Sequence, residues 1–435
     1  MKKTTILILC VLLLVALLPG CGPDAGTNET TAPVAAADNT LYVGFGRADI
    51  TNYEPCPLGG LGDTLNRFSK DIVDPLNADC IAITDSTGNT LVFISIDARS
   101  VSDAMLFAAS KIAKNTGIPY ENFIVSTTHS HSAPDPYTNH VSIENYSKML
   151  QERIEEAAMQ ALADRKPAKM EINTVYPEGY NAIRHYVLSN GKYLGDNFGS
   201  SSGATIVGHV REVDNAMQLL KFVREDDKDI IMINWQGHPS GHSGALRSSV
   251  LSFSGRITDA VEKGLDVHCM YVLGASGNVN NNSRIESENA YSDYREKAAG
   301  LAKYVIEAEG TYQSVEAGKV QVVGINVPCA TKALGENNVA IDAYAIGDVA
   351  LVAAPYEMFC ENGEAIKSAS PFKMTFVSTV TNGRVGSYIP SAFAYTYNNM
   401  PDEVYEISAG AYVQGTAEIL QDNFIALLKQ LHEAQ

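Results

Sequence analysis

The sequence predicts a layered α/β body, mixed in character, with β-sheets flanked by helices. Three observations carry this. Strand-like and helix-like stretches intermingle along the whole chain. Several of the strand-like stretches are apolar throughout, as in sheets covered on both faces. No linker, repeat or charge block divides residues 41–435, which are therefore read as one domain.

Residues 41–45, 80–84 and 91–96 read as strands, and the turn-rich segment 85–89 between the last two reads as a hairpin joint. Residues 101–114 and 142–164 carry helical spacing; in the second, Tyr146, Met149, Leu150, Ile154, Ala157 and Ala161 recur at three- and four-residue steps. The apolar run Phe123, Ile124, Val125 is a buried strand. Further strands are expected at 216–222, 230–235, 270–273, 320–327, 349–353 and 375–380, and further helices at 288–309, 358–367 and 416–432.

The N-terminus has the form of a targeting segment. Lys2 and Lys3 precede an apolar stretch, 6–18, that is short for a spanning helix. It runs into Leu18, Pro19, Gly20 and Cys21, which resembles a bacterial lipobox with Cys21 as the lipid-bearing residue. An ordinary secretory signal with an incidental cysteine is the alternative. Residues 22–39 hold almost no large apolar side chain and read as a tether. The expected organisation is a lipoprotein signal peptide (1–20), a flexible tether (21–40) and a body (41–435) held extracytoplasmically at a bacterial membrane.

A formal net charge of -18 and a pI near 4.9 argue against a polyanionic partner such as nucleic acid. Five body cysteines (Cys56, Cys80, Cys269, Cys329 and Cys360) show no Cys-x-x-Cys spacing, which removes zinc-ribbon and thioredoxin readings. They are expected to pack as small hydrophobes.

Chemistry concentrates where strands break into loops. Thr128, His129, Ser130, His131 and Ser132 follow the 123–125 strand. Two histidines at i and i+2 on a strand share a face, an arrangement that suits a metal. His238 lies just past the 230–235 strand, in Gly237-His238-Pro239. His242 follows in loop sequence, so a helical His-x3-His zinc pair is a poor reading. The lone tryptophan, Trp235, is expected in the core. Glu357 follows the 349–353 strand; it reads either as a metal-completing carboxylate or as an early helical residue favoured by the macrodipole. Tyr388 sits in a glycine-rich loop.

Taken in order, these segments resemble the catalytic domain of the neutral/alkaline non-lysosomal ceramidase family. Gly44 to Thr51 (Gly-Phe-Gly-Arg-Ala-Asp-Ile-Thr) is similar to that family's opening Val-Gly-x-Gly-x-Ala-Asp-Ile-Thr. Thr128 to Ser132 resembles its Thr-His-Thr-His-Ser, and Asn234-Trp235 through His238 its Asn-Trp-x-x-x-His. Pro355 to Phe359 resembles its Pro-Gly-Glu-Phe turn. Asn382 through Tyr388, then Tyr405-Glu406, resembles its late Asn-x-x-x-x-Tyr and Tyr-Glu elements.

The resemblance implies a Zn2+ site formed by His129, His238, Glu357 and Tyr388. It places His131 beside the metal, as a neighbour or a proton-transfer group, and Tyr405 as oxyanion donor. Arg184, in Asn181-Ala182-Ile183-Arg184, is its counterpart of a substrate-side arginine. Asp97 is expected either to orient one of the paired histidines or to cap the next helix. One departure matters. The family's Gly-Asp-Val-Ser-Pro-Asn is here Gly277-Asn278-Val279-Asn280-Asn281-Asn282. An amide is no nucleophile, so a covalent route through Asn280 is excluded, whereas hydrogen bonding to a substrate oxygen is not. The chain stops soon after the 416–432 helix, so the family's further immunoglobulin-like domain is expected to be absent.

The function expected from sequence is a membrane-anchored zinc hydrolase of a linear amide, with a small-molecule or N-acyl lipid substrate. Hydrolysis of another envelope or glycan ester or amide is an alternative. A non-catalytic binding lipoprotein on the same fold is another.

Overall fold

Fully apolar runs and period-two alternation build two sheets that bury a face against each other and a face against helices. The structure is a computed structural model and describes residues 39–435 except 63, 240–243, 292, 386 and 398–402. The expected signal peptide, Cys21 and all but the last two residues of the expected tether lie outside the described residues, as does His242.

Among the described residues the larger sheet has nine strands. From one edge they run His268–Leu273, Ile230–Trp235, Met217–Arg224, Lys166–Val175, Leu41–Asp49, Asn77–Thr84, Thr90–Ile96 and Phe123–Thr127, with Gln313–Val315 also paired to Lys166–Val175. Pairing is antiparallel except at the two ends, where 268–273 with 230–235 and 90–96 with 123–127 are parallel. The smaller sheet orders Val320–Ala330, Glu336–Ile346, Val349–Ala354 and Met374–Thr379, the last pair parallel.

The sheets meet through one apolar layer, with Val43, Phe93, Ile124 and Phe222 facing Tyr344, Leu351 and Phe376. Helices Asp103–Thr116 and Val141–Ala163 cover one half of the larger sheet's outer face. Phe253–Leu265 and Tyr294–Glu307 cover the other half. Cys360–Ala369 and Thr416–Glu433 cover the smaller sheet. The result is a helix–sheet–sheet–helix sandwich, the layered mixed fold the sequence predicts. The two glycines in the opening motif have a packing reason. A Cβ on Gly44 would stand 2.2 Å from Ala161 O, and one on Gly46 2.1 Å from Ala157 O. Helix 141–163 therefore lies directly on the 41–49 strand.

Several expected elements differ in extent. The helix expected at 288–309 starts only at Tyr294, where the Asp293 side chain accepts from the Arg295 and Glu296 amides and so caps it. Residues 358 and 359 are not helical: the expected helix 358–367 is Cys360–Ala369. Strands Lys166–Val175 and Glu336–Ile346 and helix Phe253–Leu265 were not among the expected elements. All five body cysteines are buried and free, as expected of thiols used as small hydrophobes.

The site end is defined by how the sheets close. The larger sheet curls until Ser95 Oγ donates to Tyr271 O at 2.7 Å, linking strands near its opposite edges. Strand 374–379 of the smaller sheet fits beside this closure. Asn234 Nδ2 donates to Val377 O and Asn234 Oδ1 accepts from Val377 N, at 3.0 and 3.2 Å. Thr379 Oγ1 donates to Gly274 O, and Val125 N donates to Asn382 Oδ1. These buried polar groups have their partners inside the protein, so they fix the two sheets in one register.

Candidate metal centre

Six chain segments leave the carboxyl ends of strands at this closure: those after 90–96, 123–127, 230–235, 268–273, 349–354 and 374–379. They bring together most of the residues singled out from sequence. The strand that precedes the paired histidines ends at Thr127, so neither His129 nor His131 lies on it, contrary to the expected strand placement. His129 then adopts φ = 60°, a left-handed conformation that a non-glycine residue seldom occupies. Thus His129 and His131 face one point because the backbone kinks between strand and loop, not because of strand alternation. Such strain persists only where surrounding structure imposes it. Here Ser130 N donates to Ala98 O, and Thr128 Oγ1 donates to the buried Asp97.

The three imidazoles converge edge to face. Ring centroids are 4.7 to 5.1 Å apart for the pairs among His129, His131 and His238. His131 Nε2 is 3.2 Å from His129 Nε2 and 3.3 Å from His238 Nε2. The other ring nitrogen is decisive. His129 Nδ1 faces Arg99 O at 2.5 Å, and His238 Nδ1 faces Ser276 O at 3.2 Å. A carbonyl only accepts, so each Nδ1 carries a proton, and each ring, when neutral, presents a lone pair at Nε2. His131 Nδ1 is buried without a partner.

Glu357 completes the cluster. Its Oε2 is buried without a hydrogen bond and lies 3.3 Å from His129 Nε2. Burial alone would raise this carboxyl, but His129, His238 and a hydrogen bond from Tyr388 outweigh it and hold the pKa at about 2. Burial, with His129 and Arg184 nearby, pushes His238 down to about 3. Burial, His129 and His238 push His131 well down too. The centre is therefore two imidazole lone pairs on a fixed tautomer, a third imidazole, and one orphaned carboxylate oxygen, all in a buried spot. That donor set fits a divalent cation. Glu357 belongs to a short strand, Glu357–Met358, paired with Tyr388–Ile389 so that Glu357 stands opposite Tyr388. Its alternative as an early helical residue fails, because the next helix begins at Cys360.

Tyr388 is buried against this carboxylate. Burial and Glu357 raise its phenol well above the ordinary value, with Arg184 acting the other way. Arg184 is itself buried; its guanidinium carbon lies 5.4 Å from the Tyr388 ring centroid. Tyr405 stands edge-on to Tyr388, centroids 5.8 Å apart, and is 40% exposed. It is the solvent-facing member of the group.

Asn280 lies on the short strand Val279–Asn280, opposite Ala182, and its amide nitrogen donates to Asp196 Oδ2. Asp97 bonds neither histidine ring. It accepts from Asn77 N, Thr128 Oγ1 and Ser254 Oγ, and the following helix is capped at Ser102 instead. Both expected roles of Asp97 are thus replaced by a third: it fastens the residue before His129. Trp235 is wholly buried, as expected.

Sequence reading missed three features. The carbonyls of Arg99 and Ser276 fix two tautomers, and no side chain reveals that. Gly60 lies on the His131 ring, where a Cβ would come within 2.4 Å of Cγ, and its φ is +101°. His185 and Glu406 form a buried pair beside Arg184; their signal was the adjacency of His185 to Arg184 and of Glu406 to Tyr405.

A mixed sandwich with a buried histidine–carboxylate cluster at its strand ends describes a class; the comparisons narrow the fold. No protein-family model matches this sequence, and no curated protein matches it. Solved structures do. The chain is similar to a ceramidase complexed with C2, at 17% identity and a TM-score of 0.73, over 91% of this chain and 76% of that one. It is equally similar to neutral ceramidase from Pseudomonas aeruginosa, at 17% identity and 0.72, over 91% and 75%. The chain has the neutral ceramidase fold.

Proposed function

We propose that this protein is a zinc-dependent hydrolase of a linear amide, acting on an N-acyl lipid or a related small molecule. One observation carries the reading: the Nε2 lone pairs of His129 and His238 face a common point beside the orphaned Glu357 Oε2. Lone pairs so arranged repel unless a cation, or a proton on His131 Nε2, lies among them. His129, His238 and Glu357 would hold zinc, with Tyr388 as fourth ligand. Bound there, zinc would lower the pKa of a water and polarise a carbonyl.

The chain's own groups do the rest. His131 reaches the same point with Nε2, yet its Nδ1 has no carbonyl to fix its tautomer. It is the ring free to take a proton and return it to the leaving amine. Tyr405, partly exposed at the rim, donates its phenol to the developing oxyanion. Asn280 cannot attack, so no covalent route runs through that position, and the nucleophile in this reading is water. The neutral ceramidase fold supports an N-acyl lipid as substrate. Cys21 would bear a lipid that holds the body extracytoplasmically at a bacterial membrane.

The test is elemental analysis joined to turnover of N-acetylsphingosine, for the wild type and His238→Ala. About one zinc per chain with release of acetate, both lost in the variant, is expected. Zinc without turnover of this or longer N-acyl amides would favour a binding lipoprotein on the same fold. Absence of metal would overturn the reading.

A further inference from the structure

Behind Tyr388 lies a buried charged group that the hydrolytic reading does not use. Glu406 is on the short helix Tyr405–Ala409 and is 1% exposed. Its Oε1 accepts from Arg184 Nε at 2.7 Å and lies 2.5 Å from Arg184 Nη2. Its Oε2 is 3.2 Å from His185 Nε2. His185 Nδ1 in turn meets the Tyr397 hydroxyl at 2.9 Å, and Tyr397 stacks on Tyr193 with centroids 4.8 Å apart. Each carboxylate oxygen thus has its own partner, so the group cannot rotate without losing one. Arg184 is held from the other side by Gly277 O at 2.8 Å, and its backbone amide donates to Asn278 O. A long side chain that would otherwise sample many rotamers is reduced to one position.

That position matters because of what adjoins it. The Arg184 guanidinium lies at the Tyr388 ring, and Tyr388 stands opposite Glu357 in register. The helix that carries Glu406 also carries Tyr405, whose ring meets Tyr388 edge-on. Gly410, at the end of this helix, lies where a Cβ would come within 2.8 Å of Tyr388 O. Ile407 and Val404 pack with Tyr388, Phe359 and Tyr397 in one apolar cluster. One buried carboxylate therefore stands between the arginine beneath Tyr388 and the tyrosine beside it.

We infer that Glu406 is a positioning residue. It seats Arg184 against Tyr388 and fixes the helix that presents Tyr405, so that the tyrosine corner of the centre keeps one geometry. This rests on the reading of His129, His238, Glu357 and Tyr388 as a metal site, and deepens it.

The test is a double-mutant cycle on cobalt(II)-loaded protein, read by its visible d–d bands, which report ligand geometry without turnover. The variants are Glu406→Gln, Arg184→Met and the two combined, with Tyr388→Phe as reference. Glutamine keeps the shape of the side chain and removes the charge. The combined variant removes both buried charges, so it folds even if a lone Arg184 is not tolerated. The expected result is that Glu406→Gln shifts the bands in the direction of Tyr388→Phe, and that it shifts them clearly less once Arg184 is Met. With N-acetylsphingosine as probe, kcat falls roughly tenfold or more while KM stays within about threefold. Wild-type bands in Glu406→Gln, or effects of the two substitutions that simply add, overturn the inference. Cobalt bands that obey the cycle in a protein that hydrolyses no amide would sink the hydrolase reading and leave Glu406 in its role. A wild type that binds no cobalt sinks both.

Discussion

The Nε2 atoms of His129 and His131 lie 3.2 Å apart, and His129 itself makes this possible by turning the chain at φ = 60°. Two rings one residue apart would diverge along a continuing strand's outward face or stack at wider spacing. The kink points both into the space that His238 and Glu357 enter from other strands.

Metal removal should therefore destabilise the protein well beyond the site. Without a cation, two fixed lone pairs and the Glu357 oxygen face each other in a buried space. Zinc added at about a hundredfold over its dissociation constant should add ~2.7 kcal/mol by mass action. Thermal unfolding with chelator and with added zinc measures this. Equal midpoints in both would remove the metal from the account.

Acid should unfold the chelated protein early. His238 titrates at about 3 in the fold against an ordinary value of 6.5, because burial, His129 and Arg184 disfavour its charged form. The unfolded chain therefore binds the extra proton, so stability is complete above about 6.5 and falls as the pH drops toward 3. Glu357, held at about 2, adds a second loss between its ordinary 4.5 and that value. Unfolding midpoints of chelated wild type and His238→Gln across this range should converge as the pH falls. Parallel curves would mean that His238 does not titrate this way.

Much of this site was legible before the structure, for a physical reason. Strand ends are marked by apolar runs that break at Gly, Pro and Ser, and functional side chains gather there. His129, His238, Glu357 and Tyr388 each followed such a break. What was not legible is cooperative. The left-handed turn at His129 depends on Ala98 and Asp97, more than thirty residues earlier. Strand Glu336–Ile346 opens with Glu, Asn and Asn at an exposed end, so its first residues read as loop. In Lys166–Val175, Pro167, Lys169 and Glu171 alternate with the three buried residues Ala168, Met170 and Ile172, and the last three residues are only half-buried. Glu406 stood in the Tyr405-Glu406 element but was given no role, because its partners Arg184 and His185 lie more than two hundred residues earlier.

Gly60→Ala should separate metal binding from turnover. Gly60 holds φ = +101° and presses its backbone on the His131 ring, where a methyl group would need space that is occupied. The substitution displaces His131, to which the three atoms nearest the added methyl group all belong. Zinc content should stay near one per chain, while turnover falls by roughly a hundredfold through lost proton transfer. Loss of zinc in this variant would instead make His131 a ligand.

Lys297→Met should stabilise the protein at neutral pH. Lys297 is buried, and its Nζ donates to Asn281 O at 2.6 Å, with the rings of Tyr291, Phe253 and Trp235 at 5.0, 5.2 and 5.6 Å. Burial pushes its pKa well below the ordinary 10.5. Between its folded value and 10.5 the unfolded chain binds a proton that the fold does not, so this residue costs stability at every pH below 10.5, fully below its folded value and fading above it. Methionine fills a similar volume and carries no such penalty. The gain should shrink as the pH rises and reverse slightly near 10.5, where only the lost hydrogen bond, about 1 kcal/mol, remains. Urea unfolding of both proteins at neutral pH and near 10.5 shows which holds. If methionine destabilises equally at both, the amine is charged inside the fold and the aromatic rings, not desolvation, govern it.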